Sequence, residues 1–297
     1  MNNVKTTVIG SYPIQANASE LMNEYFYQDK ASWNKYIGKA VDDQLRAGID
    51  ILSDGQTRDP FVNIFVRKLK GCRIRGRPEV VGKVEYDEPI TVDDQKYVRK
   101  VIPKQKEIVG LITGPYTIAK SCIDMFYNDE QKLAFAFAEA LNKEIQILEK
   151  HVDLISIDEP FFSVEMPDYA KELIKTLTND INCDIRLHVC GDVSEIIADL
   201  IDMPVQILSH EFKASPHLFY KFKEYKITKN ICLGSVRSDS SKVESIDEII
   251  KHINKGIDVF GEKICQISPD CGLKMQPRDV AFQKLKNLVL AGEKVYG

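Results

Sequence analysis

No apolar run in the 297 residues approaches the ~20 needed to cross a bilayer, which argues against a helical membrane span. The opening segment, MNNVKTTVIGSYP, lacks the longer apolar core of a secretory signal and reads instead as a first strand. Low-complexity stretches, Pro/Gly-rich linkers and clear repeats are all missing. So is the GxGxxG turn that opens a doubly wound nucleotide-binding sheet. Charge of one sign is also scarce. The formal net charge is −4 and the charged residues are mixed along the chain, so neither nucleic acid nor a membrane surface is an expected partner. Seven cysteines, an odd number, do not make a disulfide framework. They read as reduced thiols of a cytoplasmic protein, some of them free to bind metal.

The chain is 44% hydrophobic and 28% charged, a globular balance with enough apolar residues for a sizeable core. One pattern recurs: a short β-branched apolar run ends in Gly, Asp, Glu or Cys, and a helix-length amphipathic segment follows. The runs are Thr6–Ser11, Ile49–Gly55, Glu107–Gly114, Val152–Glu159, Asp184–Gly191, Val205–Glu211, Asn230–Val236 and Ile264–Pro269. Eight strands with intervening helices predict an α/β fold of the (β/α)8 TIM-barrel type, one catalytic domain over residues 1–297. The short-step alternation over about 70–104 predicts a β-hairpin inserted after the second strand.

Catalytic groups in such barrels gather at the C-terminal ends of the strands. Ser11, Asp54, Asp158, Glu159, His188, Cys190, Glu211, Asp239 and Cys271 all fall there. Side chains two apart on a strand share a face, so His188 and Cys190 converge on one point. Glu211 ends the sixth strand and Cys271 follows the eighth. Two thiolates, an imidazole and a carboxylate suit tetrahedral zinc, and the sulfur ligands argue against magnesium or calcium. An HxC pair alone is usually core; four ligands gathered at three strand ends are not. A structural zinc would use cysteine pairs close in sequence, away from the barrel mouth. A zinc here instead predicts activation of a substrate thiol as thiolate, and hence alkyl transfer to sulfur. Cys72, Cys122, Cys183, Cys232 and Cys265 have no such company and read as packing residues, as His210 reads as a supporting one.

The ordered motifs resemble the catalytic domain of cobalamin-independent methionine synthase. They are Thr7-Val8-Ile9-Gly10-Ser11-Tyr12-Pro13, Asp54-Gly55-Gln56 with Arg58, and Thr113-Gly114-Pro115-Tyr116-Thr117-Ile118. Ile157-Asp158-Glu159-Pro160, His188-Val189-Cys190, Glu211 and Ser268-Pro269-Asp270-Cys271-Gly272-Leu273 complete the series. The resemblance implies a methyltransferase acting on homocysteine, with Ser11 at the amino-acid carboxylate and Asp158 at its amino group. Gln56 stands where the folate-using members have a glutamate that contacts the same amino group.

Other departures concern the donor. The family's long members carry an extra N-terminal barrel not seen here. Ser121 replaces a tryptophan that would stack on a pterin, and Asp239, the candidate catalytic residue of its loop, replaces a proton-donating histidine. A methyl-folate amine must be protonated to leave, whereas a corrinoid leaves without a proton. The expected donor is therefore a methyl-corrinoid, as methylcobalamin or on a corrinoid protein, as in the short core-type synthases of archaea and anaerobic bacteria. Competing readings are transfer to coenzyme M or another small thiol, a metal-free decarboxylase on the related barrel, and a non-enzymatic zinc-binding partner module.

Overall fold

The computed structural model describes residues 4–17, 19–20, 22–23 and 31–297. Eight parallel strands form one sheet: β1 (Lys5–Thr6), β2 (Ile51–Leu52), β5 (Glu107–Thr113), β7 (Leu154–Asp158), β8 (Asp184–His188), β9 (Ile207–His210), β10 (Asn230–Val236) and β11 (Ile264–Pro269). Their order is β1-β11-β10-β9-β8-β7-β5-β2. A parallel bridge between Thr7 and Ile51 joins the two ends, so the sheet closes on itself. Seven of the eight expected runs contain one of these strands, and the first, Thr6–Ser11, overlaps β1 only at Thr6.

Period-two alternation sorts the side chains. Ile9, Ile51, Val109, Leu111, Leu154, Ile207 and Cys232 pack inside the barrel. Ile108, Ile112, Ile155, Ile157, Leu187 and Leu208 face the helices in the main core. Along β7 the inward series Leu154, Ser156, Asp158 therefore turns from apolar to acidic as it climbs to the mouth. Along β8 the series is Arg186, His188.

Helices fill the outer layer where capping and amphipathicity agree. The Glu130–Leu148 helix starts at Asp129, whose side chain accepts from the Lys132 N–H, and turns Leu133, Phe137, Leu141, Ile145 and Leu148 inward. The Ile246–Phe260 helix opens with a capping box of Ser245 and Glu248.

The inserted segment differs in part from expectation. β3 (Leu69–Arg75) and β4 (Arg77–Tyr86) do pair antiparallel, and β6 (Ile123–Asp124) joins β4. The hairpin ends at Tyr86, however, and Val92–Val101 is a helix with Asp93 and Asp94 in its first turn and Arg99 and Lys100 in its last. That charge order complements the helix dipole. Buried Glu144 pins the junction, accepting from Ile90 N–H (2.9 Å), Thr91 N–H (2.7 Å) and the Tyr86 hydroxyl (3.0 Å). Among the described residues, no helix is long and apolar enough to cross a membrane.

Candidate metal and substrate site

At the mouth, His188, Cys190 and Cys271 bring one ligand atom each to within 4.8 Å of one another. β8 supplies His188, the two residues beyond it supply Cys190, and the loop after β11 supplies Cys271. The imidazole is prepared for a metal. Its Nδ1 lies 3.1 Å from Ser209 Oγ, while its Nε2 is buried with no partner. Burial, reinforced by Arg186, pulls His188 down to about 3, so the ring is neutral and its Nε2 lone pair is available. Contact with Cys190, then burial, raises the Cys271 thiol well above its ordinary value. Two apposed thiols need a cation to hold both as thiolates side by side, and all seven cysteines are free. The donor set therefore fits zinc.

Glu211 lies outside this three-atom group. It is half-buried, its carboxyl is raised by burial and lowered by the Gly191 N–H, and its charge acts on Cys271. Asp270, beside Cys271, serves the loop instead. It accepts from the N–H groups of Lys213 (2.9 Å) and Ala214 (2.7 Å), which fixes the segment just after Glu211.

A cavity of about 230 Å³ opens beside the thiols, lined among others by Ser11, Gln56, Phe61, Asp158, Cys271 and Lys274. The Asp158-Glu159 pair divides its labour. Asp158 faces the cavity, held by the Ser156 hydroxyl at 3.1 Å. Burial pushes it up to about 7 against the pull of Arg186. Arg186 lies fully buried inside the barrel and donates to Ser156 Oγ (3.2 Å), Gln266 Oε1 (3.0 Å) and the Val8 carbonyl (3.0 Å). Glu159 turns away and accepts from Tyr116 N–H (2.9 Å), Thr117 N–H (2.9 Å) and the Thr117 hydroxyl (2.6 Å). Gly114 permits this, since a Cβ there would sit 2.0 Å from the Glu159 carboxyl carbon.

Asp54 is a turn residue, accepting from the Gln56 N–H at 3.0 Å, and it holds Gln56 at a positive φ of 45°. The Ser11 hydroxyl donates to Gln56 Oε1 at 2.8 Å. Asp239 is exposed and clasped by Arg237 through both oxygens, at 2.7 and 2.6 Å. His210 lies on the helix-facing side, donating to the Val189 carbonyl (3.0 Å) and packing against Phe212 and Phe222. Phe61 and Lys274 line the cavity unforeseen. No spacing signal marks either one, although Lys274 follows Cys271 by three residues in the same loop.

The model of the cobalamin-independent synthase catalytic domain matches residues 4–294. The chain belongs to this family. Similar proteins include the methionine synthase of Methanocaldococcus jannaschii, 38% identical over 96% of this chain and 97% of the relative. That of Methanothermobacter marburgensis is 36% identical over 96% and 98%. Among solved structures, a B12-independent methionine synthase from Shewanella sp. W3-18-1 in complex with selenomethionine superposes with a TM-score of 0.83. It shares 24% identity and covers 98% of this chain and 97% of that one. As a member of the cobalamin-independent synthase family, the protein is a methyltransferase on a TIM barrel.

Membership also corrects one expectation. A methyl-corrinoid donor, whether methylcobalamin or a corrinoid-protein partner, conflicts with a cobalamin-independent family. An extra barrel and two side chains that differ from the long members constrain a donor only weakly. Ser121 spends its hydroxyl on the Thr117 carbonyl (2.7 Å) within its own helix, which says nothing about what stacks nearby.

Proposed function

We propose that this protein is a methionine synthase whose single barrel domain transfers a methyl group to the thiol of homocysteine, with zinc held by His188, Cys190, Cys271 and Glu211. The observation that carries the proposal is the three-ligand cluster, with a partnerless His188 Nε2, opening onto a cavity of amino-acid size lined by a carboxylate. Zinc, when bound, would hold the substrate sulfur as a thiolate near neutral pH.

The chain's own residues do the rest. Asp158 receives the substrate ammonium from the inner wall, a charge-assisted contact that draws its raised pKa back down. Ser11 lies at the amino-acid end beside Gln56. Glu211, the hardest donor and the one outside the close group, would be the ligand most readily replaced by a substrate sulfur. The donor that fits a cobalamin-independent family is a reduced methyl-folate, whose departing amine takes a proton.

The test is methyl transfer by purified, zinc-loaded protein given methyl-folate and either homocysteine or coenzyme M. Methionine that forms from homocysteine and disappears when the metal is stripped supports the proposal. Product from coenzyme M alone, or undiminished turnover without metal, contradicts it.

A further inference from the structure

Below the cavity, inside the closed barrel, lies a cation that does not line it. Arg186 is fully buried, two residues before His188 on β8. Its guanidinium donates to Ser156 Oγ (3.2 Å), Gln266 Oε1 (3.0 Å) and the Val8 carbonyl (3.0 Å), with Thr7 Oγ1 at 3.4 Å and Cys232 Sγ at 3.8 Å. None of these acceptors is a carboxylate, and no acid among the described residues forms a salt bridge with Arg186. A buried charge is costly unless an opposite charge answers it, so the balancing anion has to lie close by.

Asp158 is that anion. Ser156 and Arg186 are register partners on β7 and β8, and Asp158 and His188 form the pair two residues further up. The Ser156 hydroxyl bridges the two layers, accepting from Arg186 Nε and lying 3.1 Å from Asp158 Oδ1. Chemistry sets the direction of both bonds. A guanidinium cannot accept, so the hydroxyl must accept from it, and its single proton is left for the carboxylate. Donors therefore run up the barrel from Arg186 through Ser156 to Asp158. Ser156, like Arg186, is fully buried and outside the cavity lining.

We infer that Arg186 is a positioning residue for methyl transfer, which acts through the Ser156 hydroxyl to aim the Asp158 carboxylate into the cavity and supplies its counter-charge from below. The lower layer of the barrel interior thus sets how firmly the upper layer binds, without touching substrate. The inference rests on the reading that Asp158 receives the ammonium of the acceptor.

The experiment is calorimetric titration of the zinc-loaded protein with L-homocysteine and with γ-mercaptobutanoate, its deaminated analogue. Both ligands keep the thiol and the carboxylate, so they differ only at the group that Asp158 meets. Ser156→Ala should weaken homocysteine about tenfold and leave γ-mercaptobutanoate within about twofold. Asp158→Ala should lose at least as much. The double variant should bind homocysteine within about twofold of Asp158→Ala alone, because a residue that acts through Asp158 has nothing left to act on. Arg186→Lys, which keeps the charge, should retain more of the preference than Arg186→Gln. Arg186→Gln unlinks several strands at once and can fail to fold, in which case the Ser156 and Asp158 cycle decides.

An undiminished preference in Ser156→Ala, equal weakening of both ligands, or losses that add in the double variant would overturn the inference. A wild type that binds the two ligands alike, or an Asp158→Ala variant that keeps the preference, would instead overturn the ammonium reading, so the two failures are read from different proteins.

Discussion

Asp158 and His188 are direct register partners on neighbouring parallel strands β7 and β8. Strand spacing fixes their backbones about 4.8 Å apart, and both side chains point inward. The carboxylate assigned to the substrate ammonium and the imidazole assigned to the metal are thus tied by the barrel ladder rather than by a loop. A one-residue slip of β8 would turn His188 out to the helices.

Adjacent carboxylates with separate tasks should fail differently. Asp158→Asn should leave the melting temperature within a few degrees and raise KM for homocysteine on the order of tenfold or more. Glu159→Gln offers one acceptor oxygen to donors that now share two, and leaves a buried N–H unpaired. It should lose about 1–3 kcal/mol of stability. Denaturant melts and steady-state kinetics on both variants separate the two roles.

Ser209 orients His188 from behind. Ser209→Ala should lower zinc affinity about 10–100-fold while the fold melts near wild type, since only the hydroxyl beside Nδ1 is removed. Competition with a chromogenic chelator measures it.

Asp54 gives a pH signature. Burial, then the Asp94 charge, raises its carboxyl from an ordinary 3.8 to about 6. The folded chain keeps this proton longer than the unfolded chain does, so stability falls as pH rises through that interval and stays reduced above it. Asp54→Asn cannot ionise, yet keeps an oxygen for the Gln56 N–H. The variant should melt above wild type at pH values well above 6 and match it near pH 4. Thermal melts across that range check the sign.

Asp239 is held ionised, its carboxyl below the usual range through the Arg237 hydrogen bonds. A group locked in that state is a poor proton donor. Asp239→Asn should therefore lower kcat less than about tenfold, short of the roughly hundredfold at which general-acid contributions begin. A loss of a hundredfold or more in single-turnover assays would make it the acid.

Much of this arrangement was legible in the sequence, because closing a barrel is a local matter repeated eight times. Each apolar run located a strand, and period two along β8 put His188 and Cys190 on one side. β1 and β2 are only two residues long, shorter than their runs, and the chain beyond them places Ser11 and Gln56 at the mouth. The Val92–Val101 helix was missed because alternation in the preceding hairpin hid its charge order. The inward turn of Asp158 and the outward turn of Glu159 are hidden from the sequence for a different reason. The partners of Glu159 lie 42 and 43 residues away, behind a glycine whose role is to be small. The ammonium of Lys274 has no pattern to announce it; only the folded loop shows where it sits.

The central claim is that a substrate thiol binds a metal held by His188, Cys190 and Cys271. X-ray absorption at the zinc edge, recorded before and after adding homocysteine, tests it most directly. The account predicts that the coordination shell gains one sulfur and gives up a light-atom ligand, and that Cys271→Ser loses the metal. An unchanged shell at saturating homocysteine, or full zinc binding by Cys271→Ser, would contradict it.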